Sequence, residues 1–483
     1  MNWEIVIGIE THVQLITNSK IFSNAPTSFG ANPNSQACAV DLALPGVLPV
    51  LNKNAVRQAI KFGLAVGSQI TGRSIFARKN YFYPDLPKGY QISQFDKPIL
   101  CGGELIIPLD SDNKIFFKKI KLTRAHLEED AGKSIHGNFN GMTGIDLNRA
   151  GMPLLEVVSE PDIRSSSEAV MFAKSLHSLV VWLDICDGNM QEGSFRCDAN
   201  VSVRLKGEKK FRKRCEIKNL NSFRFLEEAI NFEISRQIEI YESGGMINQE
   251  TRLYDSEKKI TRSMRNKEDS MDYRYFPDPD LPPLIIKQDF IDLIKSEMPE
   301  LPDQKRKKFT EKYNISEYDA IKLTHNKLMA NYFEAIMEEI DVNHSKLVVN
   351  WLFGQISSLT KFGGIKPVPI KPNQIVLLFK RILDKTISER IAKEVLSEMW
   401  ISTSNSITLA DEIIKSKNLQ QISDNSTLER VIDKIILQNK KSVEEYKKGK
   451  TKALNSLLGK VMMLTKGKAN PVELNKLLKK KLD

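Results

Sequence analysis

The chain has 483 residues, with 71 Lys+Arg against 60 Asp+Glu, a formal net charge of +11 and a pI near 9.1. Its 41% hydrophobic and 27% charged residues are ordinary for globular proteins and exclude a largely disordered or collagen-like chain. No apolar run approaches the roughly 20 residues that cross a bilayer. The five cysteines are scattered and never spaced as C-x-x-C, so neither a disulfide framework nor a structural zinc site is expected, and a reducing cytoplasm fits best.

The opening Met1-Asn2-Trp3-Glu4 runs straight into a strand pattern with no leader-like segment. Over residues 5–15 the two-residue period puts Ile5, Ile7, Ile9, Val13 and Leu15 on one face and Glu10, His12 and Gln14 on the other. Glu10 and His12 therefore project side by side, a carboxylate and an imidazole suited to a divalent metal. Residues 76–90 interleave the cations Arg78, Lys79 and Lys88 with aromatics such as Tyr81, Phe82, Tyr83 and Tyr90, as a surface for a nucleotide or RNA does.

Extended over residues 120–130, the chain places Arg124, His126, Glu128 and Asp130 on one face. Glu128, Glu129 and Asp130 repel one another and have no local lysine before Lys133, so a bound cation would relieve an electrostatic cost. The period sends Glu128 to the metal face and turns Glu129 away. In residues 193–204, Phe195, Cys197, Ala199, Val201 and Val203 form an apolar face. Glu192, Ser194, Arg196, Asp198, Asn200, Ser202 and Arg204 lie opposite, which predicts an antiparallel sheet with a wet side. Residues 146–151 and 216–221 add acid, amide and base groups at alternating positions.

Phosphate-loop chemistry is missing. Gly132-Lys133-Ser134 ends like such a loop, but Leu127 stands where its first glycine belongs, and neither G-x-G-x-x-G nor G-x-S-x-G occurs. A nucleotide site here must be built on a sheet with metal-binding carboxylates.

Six of the 20 prolines fall between Pro277 and Pro302 and mark a boundary. Helical spacing follows, interrupted by an extended connector over 365–373. The outline is α+β: a sheet-rich body over 1–295, a helical region over 296–405 and a small helical tail over 406–483. Twelve lysines against four acids give residues 441–483 a net charge of +8, most of the total. Lys447, Lys448 and Lys450 surround Gly449, and Lys466 and Lys468 surround Gly467, where the backbone can approach a phosphate. Leu454, Leu457, Leu458, Val461, Met462 and Leu464 recur at helical spacing, so the tail is expected to fold and to bind a polyanion such as nucleic acid.

Longer motifs carry a family resemblance. Ile7-Gly8-Ile9-Glu10-Thr11-His12-Val13-Gln14-Leu15, Leu44-Pro45-Gly46-Val47-Leu48-Pro49, the run 78–94, His126-Leu127-Glu128-Glu129-Asp130-Ala131-Gly132-Lys133, Ser159-Glu160-Pro161-Asp162 and the run 273–281 resemble the B subunit of the bacterial aspartyl/glutamyl-tRNA amidotransferases. Gly459-Lys460-Val461-Met462 and the run 465–471 resemble the small, YqeY-like tRNA-binding domain of the same family. The resemblance implies a cytoplasmic heterotrimer in which an amidase (glutaminase) partner releases ammonia from glutamine and a small third protein wraps the other two. The B subunit would use ATP and Mg²⁺ to phosphorylate the side-chain carboxylate of Glu-tRNA(Gln) or Asp-tRNA(Asn), and would displace phosphate with ammonia. The resemblance also implies a cradle-shaped, glutamine-synthetase-like sheet in the N-terminal body.

That chemistry assigns roles on the polar faces. Glu10, His12 and Glu128 are the expected metal ligands, with Glu192 as a fourth. Mg²⁺ prefers oxygen, so His12 is expected to hold a bound water or to favour Mn²⁺. Arg78, Lys79 and Lys88 are expected at the ATP phosphates. Ser194, Arg196, Asp198 and Asn200 would orient the aminoacyl end or the nucleotide, and Lys447, Lys448, Lys450, Lys466 and Lys468 would hold tRNA. Some family members carry a cysteine metal cluster that begins with C-x-x-C. Here that position reads Cys38-Ala39-Val40-Asp41, with no second pair, so no zinc is expected. Two other readings stand beside this one: a non-catalytic tRNA-binding module, and a stand-alone glutamine-synthetase-type ligase. The complete acid set opposes the first and the basic tail opposes the second.

Overall fold

The alternation in residues 5–15 becomes a twelve-residue strand, β1 (Trp3–Gln14), in which Ile7, Ile9 and Val13 are buried while Glu10, His12 and Gln14 are half-buried on the other side. The computed structural model describes residues 2–111, 114–135, 141–266, 272–360, 368–421, 425–448, 450–465, 468–469 and 471–482. Two compact units divide the chain, Met1–Pro302 and Asp303–Asp483, and the break falls at the last proline of the 277–302 cluster.

In the first unit the further strands are β2 (Gln69–Ile70), β3 (Ala77–Asn80), β4 (Tyr90–Ser93), β5 (Leu100–Cys101), β6 (Glu104–Ser111), β7 (Lys114–Glu129), β8 (Pro153–Ser159), β9 (Phe195–Leu205), β10 (Cys215–Leu220), β11 (Glu250–Asp255) and β12 (Ile260–Asn266). The main sheet runs β12-β11-β10-β9-β1-β8-β7-β5-β2, with β6 paired to β7. Its pairings are antiparallel except β10 with β11.

Three helices cover one face of this sheet. They are α1 (Lys53–Val66), α2 (Ser166–Trp182) and α3 (Phe223–Glu242). Phe62, Phe172, Leu176, Leu226 and Ile230 share a core with Ile7, Ile9, Val157, Ala199 and Val201. Each large apolar side chain buried this way contributes about 1.5–3 kcal/mol. Side-chain caps set where the helices start: the Ser165 hydroxyl accepts from the Glu168 amide, and Ser222 accepts from Phe225. Gly67, at φ 67°, ends α1 in the left-handed conformation that glycine adopts without strain. With these helices on one side, the polar residues gather on the opposite face, where His126, Glu128 and Asn200 are nonetheless buried.

Over that polar face lies a small sheet in which β3 pairs with β4 and with residues Phe276–Pro277. It is pinned to the end of β7. Gln91 Nε2 donates to the Glu129 carbonyl at 2.6 Å, the Ile92 amide donates to Glu129 Oε1 at 2.8 Å, and Ser93 Oγ donates to Glu128 Oε2 at 3.3 Å. Asn80 Nδ2 reaches the carbonyls of Tyr273 at 3.0 Å and Arg274 at 2.8 Å, locking the 273–277 segment beside β3.

The second unit is helical. Helices Pro302–Tyr313 and Lys327–Met337 meet through Phe309 and Phe333, whose rings cross edge to face at 5.0 Å. Toward the end of the chain, helices Asn425–Gln438, Lys440–Lys447, Thr451–Leu464 and Pro471–Leu482 build a core of their own from Leu428, Ile432, Leu457, Val461, Leu474 and Leu478. The predicted apolar stripe is present with one exception. Leu454, Leu457 and Val461 are buried and Leu458 and Met462 pack at the edge, but Leu464, at the helix end, is 51% exposed. Part of the expected connector, residues 365–367, lies outside the described residues.

Candidate active site on the polar face of the sheet

Strand register brings the chemistry together. His12 on β1 lies opposite Glu156 on β8, and Glu156 lies opposite His126 on β7. On the other side His12 faces Arg196 of β9, and one pair further along Glu10 faces Asp198. A row of four polar residues thus crosses four adjacent strands, with Glu128 on the same face as His126.

His12 Nε2 stands 3.5 Å from Glu128 Oε1 and 3.6 Å from Glu156 Oε2. His126 Nε2 stands 3.3 Å from Glu156 Oε2 and 3.7 Å from Glu128 Oε2. One ligand atom each from His12, Glu128 and Glu156 lies within 4.8 Å of the others, which among the described residues is the single such group of three able to hold a metal. Two carboxylates and an imidazole at this spacing fit a divalent cation of the Mg²⁺/Mn²⁺ class. His126 Nδ1 is buried without a hydrogen-bond partner.

Burial and charge oppose each other here. Burial alone would raise Glu156, yet the His126 and His12 rings hold it well below the usual carboxylate range. Burial would depress His126, but Glu156 and Glu128 push it up to about 9, and His12 is raised against burial in the same way. Glu10 moves upward, first from burial and then from the charges of Glu156 and Glu216, although Asn200 Nδ2 donates to its Oε1 at 2.8 Å.

Cations ring the cluster. Lys79 lines a cavity of about 370 Å³ together with His12, Tyr81, Glu128, Glu156 and Arg196. Burial would lower the Lys79 ammonium, but Glu128 and the nearby tyrosines raise it. Among the described residues it forms no ion pair; its Nζ lies 4.8 Å from the Tyr273 ring centroid. Arg196 Nη2 donates to Asp130 Oδ2 at 2.9 Å, and Lys218 bridges Asp198 at 2.8 Å and Glu216 at 2.9 Å. A smaller cavity of about 110 Å³ flanks Glu10 and Asn200, walled by Val6, Pro161 and Phe211 with Arg212 and Arg214 at its rim.

Comparison with known proteins matches this arrangement to a family. The GatB/GatE catalytic domain matches residues 5–292 and the GatB domain matches residues 331–482. The chain is 60% identical over 486 residues to a protein from Burkholderia ambifaria (strain MC40-6) named as the B subunit of aspartyl/glutamyl-tRNA(Asn/Gln) amidotransferase, covering 99% of each. Identically named proteins of Burkholderia vietnamiensis (strain G4 / LMG 22486) and Janthinobacterium sp. (strain Marseille) are 60% and 59% identical, with 99% and 100% of each chain covered. The chain belongs to the GatB family. The motif resemblance is therefore borne out along nearly its whole length, and so is the α+β class.

Within this GatB-family fold the expected site residues separate into groups. His12 and Glu128 join directly, and Glu10 sits two residues along the same strand, held by Asn200. Lys79, Arg196 and Asp198 line the larger cavity, and Asn200 lines the smaller one. Ser194 is buried beside β1, where its carbonyl accepts from the Gln14 amide at 2.8 Å. Glu192 is exposed in the turn before β9, and its backbone is tied to Asn189. Arg78 is committed to Asp278 at 3.2 Å and Asp280 at 2.7 Å, and Lys88 to Glu129, so the charges of these two cations are already answered by carboxylates. The acids at 128–130 are relieved from a distance: Glu129 by Lys88, Asp130 by Arg196 and by Arg149 at 3.6 Å, which leaves Glu128 to the imidazoles.

Glu156, His126 and Lys218 were absent from the expected set. A signal for Glu156 did exist, because it is the lone acid in the apolar run Met152-Pro153-Leu154-Leu155-Glu156-Val157-Val158. In the tail, Lys447, Lys448 and Lys450 are exposed, Lys468 is half-buried and donates to the Asn418 carbonyl, and Lys466 lies outside the described residues. Asp41 accepts from Ser23 and the Cys38 amide and pairs with Lys20 at 3.2 Å. Among the described residues no helix is long and apolar enough to cross a membrane.

Proposed function

We propose that this chain is the carboxylate-activating component of a glutamine-dependent tRNA amidotransferase, acting with ATP and a divalent cation on Glu-tRNA(Gln), Asp-tRNA(Asn) or both. The observation that carries the reading is the His12–Glu156–His126 row with Glu128, set in one open cavity beside Lys79, which among the described residues forms no ion pair. His12, Glu128 and Glu156 would hold the cation, which when bound neutralises charge on the phosphate oxygens and orients them for in-line transfer.

The remaining steps belong to side chains of this chain. The smaller cavity offers apolar walls for part of the nucleotide, and the exposed Arg214 that lines it suits phosphate, whereas Arg212 is paired with Glu208 at 2.9 Å. Lys79 faces the transferred phosphoryl group, which leaves ADP and joins a carboxylate oxygen of the substrate to give an acyl phosphate. Ammonia then attacks the carbonyl carbon, loses a proton and expels phosphate to leave the amide. Arg196 and Lys218 hold Asp130 and Asp198 in place, which shapes the wall that the substrate carboxylate approaches.

The family resemblance implies the partners: an amidase that would supply ammonia, a small third protein, and tRNA, which the exposed tail lysines would hold. A cytoplasmic setting fits a tRNA substrate. The test is amidation of mischarged tRNA by the assembled complex with free ammonia, ATP and Mg²⁺. Glu128→Gln and Glu156→Gln are each expected to slow it by about 100-fold or more. Full activity in either variant would sink the metal assignment.

A further inference from the structure

The rings beside Lys79 belong neither to the metal cluster nor to the nucleoside cavity. Tyr81 meets Tyr83 with centroids 5.9 Å apart and Tyr273 at 6.2 Å; Tyr273 meets Tyr275 at 6.0 Å, and Tyr275 stacks on Phe95 at 4.2 Å. Tyr81 lines the cavity of the metal cluster, whereas Tyr83 is 51% exposed and Phe95 45% exposed. The row therefore leads from the cluster out to solvent. Asn80 clamps the backbone under Tyr273, so the rings are held and not loose. Tyr275 feels the cluster directly. Burial raises its hydroxyl, Lys79 opposes this, and the charges of Glu128 and Glu156 raise it further.

A rigid row of partly exposed rings next to a cation is what an unstacked base requires, because every base offers a π-face. We infer that the Tyr83–Tyr81–Tyr273 ledge seats the terminal base of the tRNA acceptor end while its aminoacyl carboxylate reacts at the His12–Glu128–Glu156 cluster. This rests on the function proposed above. The reacting side-chain carboxylate belongs to an amino acid whose α-carboxyl is esterified to the terminal ribose, so only that amino acid and a sugar separate it from the base. The base must then lie beside the cluster, on a surface continuous with its cavity, and the ledge is such a surface. The adenine of ATP has its own walls in the cavity flanking Glu10, which neither Lys79 nor Tyr81 lines.

The experiment reads stacking without chemistry. An RNA hairpin ending in single-stranded CCA, with 2-aminopurine as its last base, is titrated with the assembled amidotransferase in the absence of ATP. Binding is expected to quench the fluorophore. Tyr83→Ala and Tyr273→Ala should abolish the quench and raise the KM for the aminoacylated hairpin about tenfold, leaving the KM for ATP unchanged, whereas Tyr83→Phe and Tyr273→Phe behave as the native chain. An undiminished quench in both alanine variants, or a rise in the KM for ATP in place of that for RNA, would overturn the assignment. The quench needs no metal, so it survives in Glu128→Gln, and a failed metal assignment is thereby told apart from a failed ledge.

Discussion

Lys20 has no exposed surface, an unusual position for a lysine, and the fold answers it with the Asp41 carboxylate at 3.2 Å and the Leu147 carbonyl at 3.1 Å. Burial lowers the ammonium from its ordinary range while Asp41 works the other way. The pair ties residues 20 and 41 to the 147–151 turn, whose Gly151 amide donates to the Asp130 carbonyl at 2.9 Å at the edge of the site. Gly151, at φ 80°, has no room for a side chain, since a Cβ there would come within 2.7 Å of Asp41 Oδ1. Removing one member of a buried pair strands the other charge, so Asp41→Leu is expected to destabilise the first unit by about 3–5 kcal/mol in urea unfolding. The double variant Lys20→Met/Asp41→Leu should cost clearly less than the two single changes added together. Additive costs would count against this coupling. The sequence does not mark the pair, because Lys20 and Asp41 lie twenty-one residues apart and the pairing depends on a loop.

Paired helices in the second unit show a pH-dependent join. Lys305 and Lys308 on helix Pro302–Tyr313 both reach Glu334 on helix Lys327–Met337, beside the Phe309–Phe333 contact. Burial would raise Glu334, but the two lysines pull it below its ordinary value of 4.5. A depressed carboxylate stabilises the fold above its unfolded pKa, and that stability is lost as pH falls through the folded value. Thermal stability of this unit should therefore fall as pH drops below about 4.5, and Glu334→Gln should flatten that dependence while lowering stability at neutral pH. An unchanged acid limb in the variant would show that other groups set it. The helices themselves were legible from apolar spacing at 328–337. The join was not, because lysine and glutamate on different helices carry no mark of their pairing.

At the scale of the whole molecule, the charge of +8 over residues 441–483 falls on a segment whose described helices share a hydrophobic core. Truncation before Asn425 removes that core as a piece. It should weaken tRNA binding and make its salt dependence shallower, by a slope of roughly 0.9 for each phosphate no longer neutralised, and should leave the KM for ATP unchanged. Equal tRNA affinity and an equal salt slope in the truncated chain would refute a binding role for the tail.

The alternation of Ile7, Ile9 and Val13 against Glu10 and His12 was enough to define a half-wet strand, and the same period assigned Phe195–Val203 and the face carrying His126 and Glu128. Side-chain period is a local property, set by the backbone within each strand, so the sequence by itself determined which residues face the site. It also determined the family, through motifs that run nearly the length of the chain. Register between strands is not local. It puts Glu156 between His12 and His126, commits Arg78 and Lys88 to acids elsewhere, and leaves Lys79 in the cavity with no ion pair among the described residues. Only the tertiary structure decided these, because partners on separate strands, well apart in the chain, are chosen by the packing of the whole sheet and not by the neighbours of any one residue.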